Sequence, residues 1–130
     1  MCLHKIEKFK VHNYYGYKVF LEYEYKVFLE YEDTPLESLY FDLDQLFIGT
    51  WLQSTNTTIY SGNDERYQSG FHMYLTLRAA KRVTETFHSP KIIKIYRVRF
   101  KKVVATGFEG RERVVVAKEM LILNEVKRGA

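Results

Sequence analysis

In the segment KIYRVRFKK, Arg97, Arg99 and Lys101 fall at alternate positions, with Lys94 and Lys102 close by. Residues two apart on a strand share a face, so this spacing lines up three cations in a row. Such a row can bind the phosphates of a nucleic acid or the acidic surface of a protein. Arg78, Lys81 and Arg82, in LRAAKRV, add cations from a neighbouring segment. Tyr14, Tyr15, Tyr60 and Tyr67 offer rings on which bases could stack. Neither feature is specific by itself. A half-buried sheet needs a polar face in any case, and the 11 tyrosines of so aromatic a chain also serve core edges and sheet faces.

Other chemistries find less support. His4, His12, His72, His88 and Cys2 include no pair at metal-ligand spacing, so no metal site is expected. Serine and histidine occur without a nucleophile elbow, and Gly107 and Gly110 do not form a phosphate loop ahead of a helix. The residues by themselves call for no cofactor.

The elements that must position these groups are mostly strands. Residues 91–105 read as one long strand, with Tyr96, Val98 and Phe100 on one face and the Arg97, Arg99, Lys101 row on the other. Gly107 to Gly110 reads as a turn. Val114, Val116, Met120 and Ile122 then mark a last strand or strand pair, with a tail after Asn124 that should fray. Before the basic row, Gly70 to Tyr74 reads as a short strand. Thr76 should cap a helix over Leu77 to Phe87, whose apolar face is Leu77, Ala80, Val83 or Thr84, and Phe87. Ser89-Pro90 ends that unit. A second helix is expected to start near Thr34, where a hydroxyl cap, Pro35 and Glu37 follow in order. Gly49 is a break that leaves Trp51 against the core, and residues 53–69 read as a long mobile polar loop. Residues 3–11 form an imperfect strand or extended arm.

Residues 17–24 and 25–32 are both YKVFLEYE, with no spacer. Tyr17, Val19, Leu21 and Tyr23 alternate with Lys18, Phe20, Glu22 and Glu24, the period of a half-buried strand. Eight is even, so the second copy is expected to keep the same facing, with Tyr25, Val27, Leu29 and Tyr31 continuing the apolar row of the first. A straight strand of this doubled length would span about 53 Å, against a radius of gyration of roughly 14 Å for a chain of this size. Three outcomes are open: a bent strand, a hairpin turning near Glu22 to Tyr25, or one copy displaced to an edge or exchanged with a neighbour. The junction holds no Gly, Asn or Asp, which disfavours a tight hairpin against a looser or bent arrangement. The spare strand also permits a homodimer formed by strand pairing or exchange.

Together these elements predict a single α+β domain over residues 1–130, with a largely antiparallel twisted sheet, one or two helices and the duplicated strand at 17–32. The chain has 130 residues and 46% hydrophobic content, enough for one core. No apolar run approaches membrane-spanning length and the first residues lack a secretory centre, so a cytoplasmic protein with no membrane partner is expected. The lone Cys2 allows no internal disulfide. Net charge is +4 but polarised: residues 1–65 carry 5 basic and 11 acidic side chains, and residues 66–130 carry 15 and 5. That imbalance can steer an acidic partner or draw the two halves together.

GYKVF (Gly16 to Phe20), GFHMYLTLRAA (Gly70 to Ala80) and RERVVVAKEMLIL (Arg111 to Leu123) resemble, in order and hydrophobic pattern, the three core segments of ADP-ribosyltransferase-like domains. That resemblance implies an enzyme using NAD. Glu112 would orient the nicotinamide ribose and stabilise its cationic transition state, with His72 or Tyr74 in the nicotinamide cleft. The GYKVF, WL and GFH segments also look like those of small phage and mobile-element proteins. The first expectation is therefore a small phage-type binding protein. It would act through Arg97, Arg99, Lys101, Arg78 and Arg82 on a nucleic acid or an acidic host protein. The alternative is an ADP-ribosyltransferase-like enzyme or its degenerate relative, carried by Glu112, His72 and Tyr74.

Overall fold

A computed structural model of the chain describes residues 3–23, 26–29, 41–42, 48–54, 58–85 and 92–126. Its strands are β1 (Lys5–Ile6), β2 (Tyr15–Tyr23), β3 (Lys26–Leu29), β4 (Phe41–Asp42), β5 (Trp51–Gln53), β6 (Thr58–Tyr60), β7 (Arg66–Gln68) and β8 (Phe71–Tyr74), followed by helix α1 (Leu77–Thr84) and the long strands β9 (Ile92–Glu109) and β10 (Glu112–Val126). The architecture is mostly antiparallel sheet with one short described helix. The helix expected near Thr34 and the break at Ser89-Pro90 lie outside the described residues, as do Cys2, His88 and Phe87.

The sheet closes on itself. Strand β9 pairs with β10 along one edge and with β2 along the other, while β8 lies between β10 and β2. One pair, Tyr17 opposite Tyr74, makes the seam. A circuit from Tyr74 through Tyr17, Arg97 and Asn124 returns to β10 ten residues from Val114, the partner of Tyr74. Closing a ring of few strands requires such a stagger, and a steep strand tilt with it. Two irregularities, between Val116 and Ala117 and between Ile122 and Asn124, bend the long hairpin, and Lys102 beside the first has a φ of 61°.

Closure buries both faces of the central strands, so Phe71, His72, Met73, Tyr74 and Val114 to Ala117 form unbroken buried runs rather than alternating ones. One face collects Phe71, Met73, Val98, Phe100, Val115 and Met120, with Phe9, Val11 and Leu52 packed against it. The other face gathers Leu3, Val19, Tyr74, Ile95, Val114 and Val116 beneath Ala79 and Ala80 of α1. Thr76 caps this helix as its sequence predicts, its hydroxyl accepting from Ala79 N–H at 3.1 Å.

The duplicated octapeptide forms a hairpin. Tyr23 pairs with Lys26 and Phe20 with Leu29, leaving Glu24 and Tyr25, outside the described residues, as the connection. This overturns the looser arrangement the junction chemistry favours. The outer edge of β2 is covered by β8 only at Tyr17, and the second copy supplies ladder partners for the backbone beyond it. The expectation of a continuous row fails too. Antiparallel pairing sets Glu22 opposite Val27, so odd positions of the first copy share a face with even positions of the second.

Three smaller expectations are corrected. The polar stretch 53–69 begins at the last residue of β5 and contains the β6–β7 hairpin. Its tip is held by Ser61, whose carbonyl accepts from Asp64 N–H and whose hydroxyl accepts from Asn63 and Glu65 N–H. Gly107 belongs to β9 and pairs with Ile6 and Val114, so the turn is confined to Gly110 and Arg111, where Gly110 supplies a φ of 60°. Strand β10 runs on through Asn124 to Val126, against Ile95 of β9.

Candidate nucleic-acid interface

The alternation of β9 survives in the structure: Tyr96, Val98 and Phe100 are buried, and Arg97, Arg99 and Lys101 are exposed. What the sheet adds is their neighbours. Arg99 lies opposite Tyr15 of β2 on one side and Leu121 of β10 on the other, and Leu121 lies opposite Trp51 of β5. Directly opposed residues share a face, so Tyr15, Arg99, Leu121 and Trp51 form one row, about 14 Å across at the usual strand spacing. The row Tyr17, Arg97, Asn124 flanks it on one side and Lys101, Glu119, Gln53 on the other.

Cations and rings interleave on this face. The Arg97 guanidinium lies 4.5 Å from the centre of the Tyr15 ring and that of Arg99 lies 5.9 Å from it. Lys101 Nζ stands 4.0 Å over Trp51. Each such contact contributes about 0.5–1 kcal/mol at an exposed site, which holds the side chains in place more than it stabilises the fold. Trp51 is half-buried here, and Leu52 is the residue that packs on the core. Tyr14 is 55% exposed beside the row, its carbonyl accepting from Phe100 N–H at 2.8 Å and its ring edge-on to Phe100. Asn13 Oδ1 accepts from Tyr15 N–H and fixes the entry to β2.

The charges are unequally balanced. Lys102 Nζ lies 2.9 Å and Lys101 Nζ 3.9 Å from the carboxylate of Glu119, a buried residue. The hydrogen bond from Lys102, with the charge of Lys101 behind it, holds the Glu119 carboxyl below the usual carboxylate range against the opposing effect of desolvation. Lys94 pairs with Glu125 at 3.6 Å. Arg97 and Arg99, by contrast, are ion-paired with no described carboxylate. The surplus positive charge of the face is therefore theirs.

The helix cations stand elsewhere. Arg82 Nη1 contacts Glu112 Oε1 at 3.1 Å at the start of β10, whereas Arg97 pairs with Asn124 near its end. Arg78, Lys81 and Arg82 line a shallow depression with Leu77 and Glu85 on the helix surface. Of the four candidate stacking tyrosines, Tyr15 stands in the row, and Tyr14 beside it turns its ring to Phe100 of the other face. Tyr60 is exposed on the β6–β7 hairpin, and Tyr67 is buried.

Glu112, His72 and Tyr74 share a sheet face, since Tyr74 and His72 oppose Val114 and Val116 two and four residues beyond Glu112. Their side chains are engaged within the protein. The Glu112 carboxylate accepts from Arg82, and the Tyr74 hydroxyl donates to Glu109 Oε2 at 3.1 Å. His72 is 1% exposed. Its Nδ1 lies 3.1 Å from the Gly70 carbonyl, an acceptor only, which assigns the proton of the neutral ring to Nδ1. The Tyr67 hydroxyl then donates to Nε2 at 3.0 Å and accepts from Leu3 N–H at 2.8 Å. Lys18, 2% exposed, donates from Nζ to the His72 carbonyl at 2.8 Å. This buried polar chain ties the N-terminal arm, the β6–β7 hairpin, β8 and β2 together.

No cluster of three or more metal-ligating side chains occurs among the described residues, and no described helix is long and apolar enough to cross a membrane. Comparison with protein-family models, with curated proteins and with solved structures finds no match.

Proposed function

We propose that the protein is a small phage-type binding protein whose β9-centred sheet face takes a single-stranded nucleic acid. The observation that carries this reading is the pair Arg97 and Arg99, without a described carboxylate partner, on one sheet face with the Tyr15 and Trp51 rings. An acidic protein surface would be served by the cations alone. Rings interleaved with them on an open sheet suit unpaired bases, each of which has a face to stack, while the guanidinium groups meet the phosphates. A duplex hides those faces in its own stack. Arg97 and Arg99 contribute the main electrostatic attraction. Lys101 contributes less because Glu119 shares it, and Arg78 and Arg82 on α1 make a separate basic patch.

Trp51 is the only tryptophan in the chain and stands in the row itself, so its fluorescence is a direct reporter. Titration at low salt with an oligothymidylate should quench Trp51, and Arg97→Ala/Arg99→Ala should weaken that binding at least tenfold. A duplex of equal length should bind more weakly. Quenching by poly-glutamate as strong as that by the oligonucleotide would instead identify an acidic protein as the partner class.

A further inference from the structure

β2 occupies Tyr15–Tyr23, YGYKVFLEY, and residues 23–31 read YEYKVFLEY. Shifted by eight, the two nine-residue segments differ at one position, Gly16 against Glu24. Every other residue of β2 therefore has an identical stand-in. Tyr23 could lie under Arg97 as Tyr15 does, Tyr25 could oppose Tyr74 as Tyr17 does, and Lys26 could reach the His72 carbonyl as Lys18 does. An even shift also preserves which residues face which side of the sheet. The ladder by itself cannot tell the copies apart.

Gly16 can. It is buried at the seam opposite Val98, and a Cβ built on it would stand 2.9 Å from the Tyr74 carbonyl oxygen, 3.4 Å from Met73 Cβ and 3.5 Å from Phe100 Cε1. The first of these is a backbone atom in the seam, so it cannot swing aside as a flexible side chain would. A slip by eight residues would bring Glu24 to that place, adding a carboxylate among Met73 and Phe100 to the steric conflict. We infer that Gly16 is the register selector of a strand slot for which the chain carries two candidates, and that it decides which copy builds the Tyr15 side of the basic face. The inference does not depend on what that face binds.

Three proteins test it: Gly16→Glu, Glu24→Gly, and the double variant. Gly16→Glu should lose at least 10 °C in Tm. Adding Glu24→Gly should recover at least half of that loss, because a glycine then precedes the second copy and the chain can slip into the slot. In Glu24→Gly alone the candidates become equal over the slot. The β9 amides of Arg97, Val98 and Arg99 should then give a second set of NMR signals, with a cross-strand NOE from position 24 to Val98. A Gly16→Glu protein that melts like wild type, or one that Glu24→Gly does not rescue, overturns the inference. So does a Glu24→Gly protein showing one set of β9 signals.

Discussion

Among single residues, Tyr67 shows most clearly how place outweighs type. The sequence offers it as one of four candidate stacking rings, but its hydroxyl accepts from Leu3 N–H and bonds His72 Nε2 inside the protein. Residue type does not distinguish Tyr67 from Tyr60; the difference is made by the partners the fold brings, His72 five residues on and Leu3 64 residues away. Tyr67→Phe keeps the ring and removes both bonds. Losing them among buried groups should cost about 2 kcal/mol, a drop of about 5–10 °C in Tm for a domain of this size. Thermal denaturation checks this, and nucleic-acid affinity below the transition should not change. Arg97 and Arg99 were legible as an exposed row from alternation alone. The Tyr15 ring against them was not, since it arrives from another strand.

At the scale of elements, what the sequence reveals divides by range. The helix at Leu77 with its Thr76 cap and the long β9 with its two unlike faces follow from residues close in the chain, and both are found. Pairing is not local. The closure of β9 onto β2, the docking of β5 on β10 and the placing of Trp51 beside Leu121 depend on registers that no short window encodes. The hairpin of the duplicated segment is the sharpest case. Its junction lacks the residues that ease a tight turn, yet pairing satisfies the open edge of β2. Strand β3 pairs only with β2 and β4 among the described elements, so it is an addition to the closed ring. Deleting residues 25–32 should therefore leave a folded protein with Gly16 still ahead of the remaining copy. Circular dichroism should show a cooperative sheet transition, and oligothymidylate should bind within about threefold of wild type. Loss of that transition would make the second copy part of the essential sheet.

Across the whole molecule, the charge polarity of the sequence acquires a location. The basic half supplies β9 and β10, and part of its charge is neutralised where Glu119 meets Lys101 and Lys102 and where Glu112 meets Arg82. Of the cations that remain, Arg97 and Arg99 stand on a sheet face that also presents rings. Binding of a nucleic acid there should be largely electrostatic in its free energy and sensitive to added salt. The three cations of the row set the scale. At about 0.7 of a unit per phosphate neutralised on a single strand, the slope of log K against log salt should be near −2. The polar chain through His72 and Lys18 is buried and should have no part in the slope.

The central claim is thus best tested by fluorescence anisotropy of a labelled oligothymidylate, titrated with the protein over a range of salt. Wild type should give a slope near −2, and Arg97→Ala/Arg99→Ala should bring it to about −0.7, with the fold unchanged by circular dichroism. An unaltered slope and affinity in the double variant, or wild-type binding indifferent to salt, would contradict the assignment of the β9 face.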